Sequence, residues 1–420
     1  MAEKAHKKQL KKNSVDHLAA YAAALGNYSV TLSRIRHEQT DSCALEALKL
    51  YERLNGIDRQ RFEADYATSL SNYAGDLREA GQSERALEYA QKSLEIRERL
   101  AQKNANRYEP DYAVSLSIYA ILLSALGQDE KALEYTQKSL EIMERLAQKN
   151  PDRYEPDYAM SLSNYASELM HMGQSEQGLK YSQTALEIRE RLAKNIPDRH
   201  EPNYAQSLVN YAALLSDLGQ SEKALEHAQK ALEIMERLAQ KNPDRYVPAY
   251  AMSLSNYSAL LSNLGQSEKV LEHAQKALEI RERLAQKNPD RHEPDYATSL
   301  SNYSTDLSDV GQSEKALKYA QKALEIRERL AKNIPNRYEP DYALTLGNYS
   351  IRLIEAGKNE EGLNKAQKAL DIRKRLARKN PARFSEDMFS NVCSVFFLKW
   401  LYQPSYEYSD LEDLRSIPSM

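Results

Sequence analysis

The stretch Ser69-Leu70-Ser71-Asn72-Tyr73-Ala74 returns down the chain as SLSIYA (115–120), SLSNYA (161–166), SLVNYA (207–212), SLSNYS (253–258), SLSNYS (299–304) and TLGNYS (345–350). The tyrosines that open the same units, 66, 112, 158, 204, 250, 296 and 342, are spaced 46 residues apart without an insertion. Tyr21 begins a weaker copy one residue shorter. A chain of 420 residues that repeats itself in this way is read as an array, not as two or three unrelated globular domains. About eight units fill residues 21 to 387, between a basic N-terminal segment (1–20) and an aromatic-rich, acidic-tailed C-terminal segment (388–420).

Within the unit 66–111, Leu70, Tyr73, Ala74 and Leu77 fall at i, i+3, i+4 and i+7, one stripe of an α-helix. Gly81 then supplies the left-handed residue that closes a helix, and its equivalents are Gly127, Gly173, Gly219, Gly265, Gly311 and Gly357. Ser83 is expected to cap a second helix of about 30 Å carrying Ala86, Leu87, Ala90, Leu94 and Leu100 on its inner side. That helix ends at Lys-Asn-Pro-Asp or Lys-Asn-Ile-Pro, where proline forbids continuation. Glu-Pro-Asp is expected to restart the chain as a helix, its aspartate facing the positive end of the dipole. No segment alternates with period two, so the fold class is all-α.

Each unit is thus a helical hairpin with apolar surface on both helices, which only stacking on neighbours can bury. Small residues at fixed places fit that stacking: position 74 and its equivalents hold only Ala or Ser, position 93 Ser or Ala, and position 86 Ala or Gly except Val270.

On these positions the unit resembles a tetratricopeptide repeat. Leu70, Tyr73, Ala74, Leu77, Gly81, Ala86, Ala90 and Ser93 take that family's large-large-small-large-Gly-Ala-large-Ala places. At 46 residues the unit is longer than the family's usual 34 and is similar to the long units of kinesin light chains. Ala90, Thr136 and Ser182 stand where the family usually has an aromatic, and the first copy has Arg36 in place of the closing glycine. The resemblance implies a right-handed α-solenoid of about eight hairpins, first helices lining a concave groove, with a C-terminal helix.

Charge nearly cancels, 58 Lys plus Arg against 61 Asp plus Glu, which gives no reason to expect nucleic acid or an anionic membrane as ligand. No apolar run approaches the roughly 18 residues of a membrane span. The lysine-rich N-terminus lacks the apolar core of a secretory signal and reads as a solvated end. Cys43 and Cys393 form no spaced framework, which fits a reducing, cytoplasmic setting. No HExxH, paired Cys-x-x-Cys, phosphate loop or nucleophile elbow is present, and His227 and His273 take the place of Tyr89 and Tyr135. The expectation is no enzyme, no cofactor and no metal.

The first-helix face opposite the apolar stripe is the candidate site. One place there reads Asn72, Asn164, Asn210, Asn256, Asn302 and Asn348, broken by Ile118. An asparagine amide has the donors and acceptor to grip both backbone groups of an extended peptide, and the resemblance implies that role. The same residues also suit bonds between neighbouring helices. Beside them stand Ser71 and Ser163, with no lysine of the kind that clamps acidic tails, and His171, Asp217, Asn263 and Asp309 at the next exposed place. The groove is small, polar and somewhat acidic, favouring a neutral or basic extended segment of a protein partner. The chain is therefore expected to be a scaffold or adaptor. Alternatively it is a regulatory subunit that docks, or self-associates, through Phe389, Phe396, Phe397 and Trp400 on a C-terminal helix that otherwise caps the stack.

Overall fold

A computed structural model describes residues 2–34, 40–379 and 384. The described residues form sixteen α-helices and no strand. They make two compact units, Met1–Ser207 and Leu208–Met420. In the first unit the helices are α1 (Ala2–Arg34), α2 (Thr40–Ile57), α3 (Arg59–Glu79), α4 (Ser83–Lys103), α5 (Ala105–Ser124), α6 (Asp129–Lys149), α7 (Pro151–His171) and α8 (Ser175–Asn195). The division falls inside α9 (Pro197–Asp217). The second unit continues with α10 (Ser221–Lys241), α11 (Pro243–Asn263), α12 (Ser267–Lys287), α13 (Pro289–Asp309), α14 (Ser313–Asn333), α15 (Pro335–Glu355) and α16 (Asn359–Lys379). Arg36, Cys393 and the aromatic residues Phe389, Phe396, Phe397 and Trp400 lie outside the described residues.

Each unit is a stack of hairpins in which consecutive helices pack on one another, α1 through α8 in the first and α10 through α16 in the second. The apolar stripe drives this. Leu70, Leu116, Leu162, Leu208, Leu254, Leu300 and Leu346 are all at most 1% exposed, each worth about 1.5–3 kcal/mol of burial. At the stripe's small position, Ser258 donates to the Val270 carbonyl at 2.9 Å and Ser304 to that of Ala316 at 2.8 Å. Ser93 and Ser139 likewise donate across the hairpin to Ala67 and Ala113, at 2.7 and 2.8 Å. The stripe tyrosine meets an aromatic ring of the second helix edge-on: Tyr73 with Tyr89, Tyr119 with Tyr135 and Tyr165 with Tyr181, all at 4.9 Å between centroids. His227 and His273 make the same contact with Tyr211 and Tyr257, so these histidines are packing groups.

The hairpin turn closes as its glycine requires. Gly81 sits at φ 73°, and its six equivalents lie between 69° and 77°. The Gln82 N–H reaches the Leu77 carbonyl at 2.8 Å and the Gly81 N–H that of Arg78 at 3.0 Å, the paired bonds of a Schellman closure. This closure corrects one expectation. The chain re-enters a helix so directly that Ser83 is already the first helical residue of α4, and Gln82 takes the cap place without a side-chain bond.

A second correction concerns the other helix start. The first helix begins not at Glu-Pro-Asp but four residues before its glutamate, at the break shared with the preceding helix. Asn150 accepts from the Arg153 N–H at 3.3 Å and Pro151 follows as the first helical residue; Asn104, Asn242 and Asn288 cap in the same way. Pro156 consequently lies inside α7, and the aspartate after the equivalent proline serves packing: Asp111 pairs with Arg97 at 2.7 Å and Asp341 with Arg327 at 2.8 Å. A second recurring bridge ties the start of a first helix to the end of its second, as in Glu109–Arg145 at 2.9 Å and Glu155–Arg191 at 2.7 Å.

Residues of the basic N-terminal segment are continuous with α1, where Val15, Leu18 and Ala19 pack on Leu54 and Phe62, and Asp16 pairs with Arg61 at 2.7 Å.

The small position at 86 has a steric partner eight residues upstream. Where that partner is Arg78, Ser124, Ser216, Ser262 or Ser308, the position carries a side chain (Ala86, Ala132, Ala224, Val270, Ala316). Where it is Met170 or Ile354, the position is Gly178 or Gly362. A Cβ on Gly362 would stand 2.7 Å from Ile354 Cγ1 and 2.9 Å from the Ser350 carbonyl oxygen. Gly362→Ala is expected to cost about 1–2 kcal/mol despite its gain in helix propensity. Urea melts should show the loss shrinking in an Ile354→Ser background, a coupling of about 1 kcal/mol.

Candidate functional site

First helices of successive hairpins touch one another, α3 with α5, α5 with α7 and α13 with α15, so they form one row of each stack. These first helices carry the candidate residues. Asn72, Asn164, Asn256 and Asn348 are half-buried, and Asn210 and Asn302 are exposed. Among the described residues, Asn72, Asn164, Asn256, Asn302 and Asn348 make no side-chain hydrogen bond. Their amides are therefore not used to tie neighbouring helices together.

Ser71 behaves differently although it is adjacent in sequence. Its hydroxyl lies 2.8 Å from that of Ser93, and Ser117 repeats the contact with Ser139 at 2.9 Å. Ser163 donates to its own helix, to the Ala159 carbonyl at 3.0 Å. This place faces the second helix and packs the hairpin. The row at position 79 links consecutive first helices instead: Asn263 donates to Ser216 at 3.2 Å, Ser308 to Glu355 at 2.6 Å, and His171 Nδ1 lies 3.3 Å from the Ser124 hydroxyl.

A cleft of about 300 Å³ in the second unit lies between α11 and α13, with Ala274 of α12 also lining it. It brings Asn263, Asn302 and Asp309 together with Ser255, and it adds Asp306, which sequence reasoning passed over. Burial pushes the Asp306 carboxyl up to about 6, with the Asp309 charge adding to the shift. A signal existed in the column of equivalents, Asp76, Leu122, Glu168, Leu214, Leu260, Asp306 and Arg352, where leucine in three copies stands against an ionisable group in four. In the first unit a smaller cleft of about 120 Å³ between α1 and α3 places Asn72 beside Asn27, Asp65 and Thr68. Asn164, Asn210, Asp217, Asn256 and Asn348 line neither cleft. A third cleft, about 430 Å³ and mostly apolar, opens where Val247 replaces the glutamate of the recurring bridge, and Arg283 there donates to the Glu279 carbonyl of its own helix at 3.3 Å.

The fold and this surface define a class: a helical-hairpin repeat protein whose exposed first-helix faces bear amides and carboxylates. The tetratricopeptide repeat model matches residues 65–145, 157–237 and 251–329, more than half of the chain. The chain belongs to the tetratricopeptide repeat family. No curated protein matches it.

Among solved structures, the fold is similar to that of a Rap protein complexed with competence and sporulation factor, at 15% identity over 90% of this chain and 99% of that chain, with a TM-score of 0.50. Similarity also extends to BtubC from P. vanneervenii, at 20% identity over 59% of this chain and 92% of that chain, with a TM-score of 0.48. A putative kinesin light chain of Podosopora anserina with nearly identical TPR-like repeats matches at 19% identity over 53% of this chain and 98% of that chain, with a TM-score of 0.41. Among the described residues no helix is long and apolar enough to cross a membrane.

Proposed function

We propose that this protein is a non-enzymatic scaffold or adaptor that holds an extended, neutral or basic segment of a partner protein on its first-helix faces. The observation that carries this reading is the α11–α13 cleft, which sets two amides (Asn263, Asn302) beside two carboxylates (Asp306, Asp309) in one concavity. Amides of this kind take the backbone N–H and C=O of an extended chain. Carboxylates in a half-buried cleft favour a lysine or arginine side chain and disfavour an acidic one. The Rap protein of similar fold was solved in complex with competence and sporulation factor, so a helical stack of this kind can hold a bound factor.

Peptides selected against the full chain from a random library supply the probe. Enrichment in Lys or Arg is expected, and an Asp306→Asn, Asp309→Asn double variant should bind the best of them at least 10-fold more weakly. Acidic sequences binding more tightly, or unchanged affinity in the double variant, would refute the reading.

A further inference from the structure

Elsewhere in the first unit, three side chains that occur together nowhere else in the array meet at one junction of hairpins. Asp129 opens α6, where the equivalent residues are Ser83, Ser175, Ser221, Ser267, Ser313 and Asn359. Glu168 lies on α7 at a place held by leucine in Leu122, Leu214 and Leu260, and His171 is the only histidine in its column. One ligand atom from each lies within 4.8 Å of the others.

Glu168 is what makes the cluster more than surface charge. The residue is only 7% exposed, and its Oε2 atom has no hydrogen-bond partner. That atom points at His171 Nδ1, 3.9 Å away. A carboxylate oxygen buried without a partner is costly, and leucine would occupy the place at no such cost. Ser124 does not resolve the shortage. Its hydroxyl lies 3.3 Å from His171 Nδ1 and 3.5 Å from Asp129 Oδ1 and also interacts with the Glu168 carboxylate, yet it carries one proton for all of them and leaves Glu168 Oε2 without a bond.

We infer that Asp129, Glu168 and His171 form a binding site for a divalent transition-metal ion such as zinc, bridging the hairpins α5–α6 and α7–α8. An imidazole with two carboxylates is a donor set that zinc accepts, and a solvent-facing fourth position is left for water. Zinc bonds of about 2 Å place ligand atoms roughly 3.3 Å apart, so the cluster has to contract. His171, with 55% of its side chain exposed, and the half-buried Asp129 have the freedom to close on the fixed Glu168. The ion would neutralise the buried carboxylate and pin α7 to the turn before α6. Nothing in the sequence motifs announces this site, because its donors come from two different hairpins.

Titration of the full chain with zinc chloride after chelator treatment, followed by calorimetry, tests the inference. One site is expected to fill well before any other, with a rise in the melting temperature that EDTA reverses. Glu168→Leu and His171→Ala should each weaken that site at least 10-fold. The leucine variant matters most, since leucine already fills the equivalent place three times and the fold should remain intact by circular dichroism. Equal zinc affinity and stoichiometry in wild type and both variants, or no saturable zinc binding in wild type, would overturn the proposal.

Discussion

Replacing Leu300 by alanine is expected to lower the stability of the second unit by about 3–4 kcal/mol. Leu300 is fully buried. It sits in a cluster with Leu278, Tyr303, Leu307, Ala316 and Ala323, drawn from α12, α13 and α14. The surrounding helices are held at their spacing by the Ser304–Ala316 bond and the Tyr303–Tyr319 ring contact. Collapse around the cavity is therefore limited, which places the cost in the upper part of the usual range. Because each hairpin contacts mainly its neighbours, the loss should also be local. Hydrogen exchange is the discriminating measurement: amides of α12 to α14 should lose the most protection, with smaller changes in α16. A drop below about 1 kcal/mol, or a uniform loss of protection across the unit, would contradict this picture of the packing.

The same dependence on neighbours explains what was legible in the sequence. Leu70, Tyr73, Ala74 and Gly81 are each dictated by contacts inside one hairpin or with the next, so periodicity alone exposes them. Legibility fails where two signals compete at one place. Asn150 followed by Pro151 is a stronger helix start than Glu155-Pro156-Asp157, because a capping side chain and a preset φ act together at the break. Ser83 loses its capping role to the Schellman closure at Gly81 and Gln82, which leaves no residue of extended backbone before the helix.

The candidate site was partly legible for the same reason. Asn72 and Ser71 are adjacent and recur together, yet a rotation of 100° per residue sends the serine to Ser93 and leaves the amide without a partner. Asp306 and the Asp129–Glu168–His171 cluster could not be read in this way. Their meaning depends on which side chains lie across a junction between hairpins, and a column of equivalents shows only that the place varies.

Asp306→Asn is expected to make the protein more stable and less able to bind. The unfolded chain releases the Asp306 proton near pH 4, whereas burial in the cleft holds it in the folded state until pH is about 6. Below pH 4 both states are protonated and the residue costs nothing. Between pH 4 and 6 the unfolded state ionises first, so stability falls as pH rises, and the full penalty is present at pH 7. After allowance for the partial exposure of the side chain, that penalty is about 1–2 kcal/mol. Denaturant melts at pH 7 should therefore favour the asparagine variant by about that amount, and melts at pH 4 should show no difference. Leucine at the equivalent places Leu122 and Leu260, both buried, shows that the stack does not need a carboxylate there. Under the proposed function, a charge kept at a cost to the fold is accounted for by a ligand that neutralises it, such as a lysine or arginine of a basic segment. The asparagine variant should accordingly bind a basic peptide about 10-fold more weakly at pH 7, and wild type should lose affinity for that peptide as pH is lowered from 7 to 5. Equal stability at pH 7, or peptide affinity that does not change with pH across this range, would separate Asp306 from the binding site.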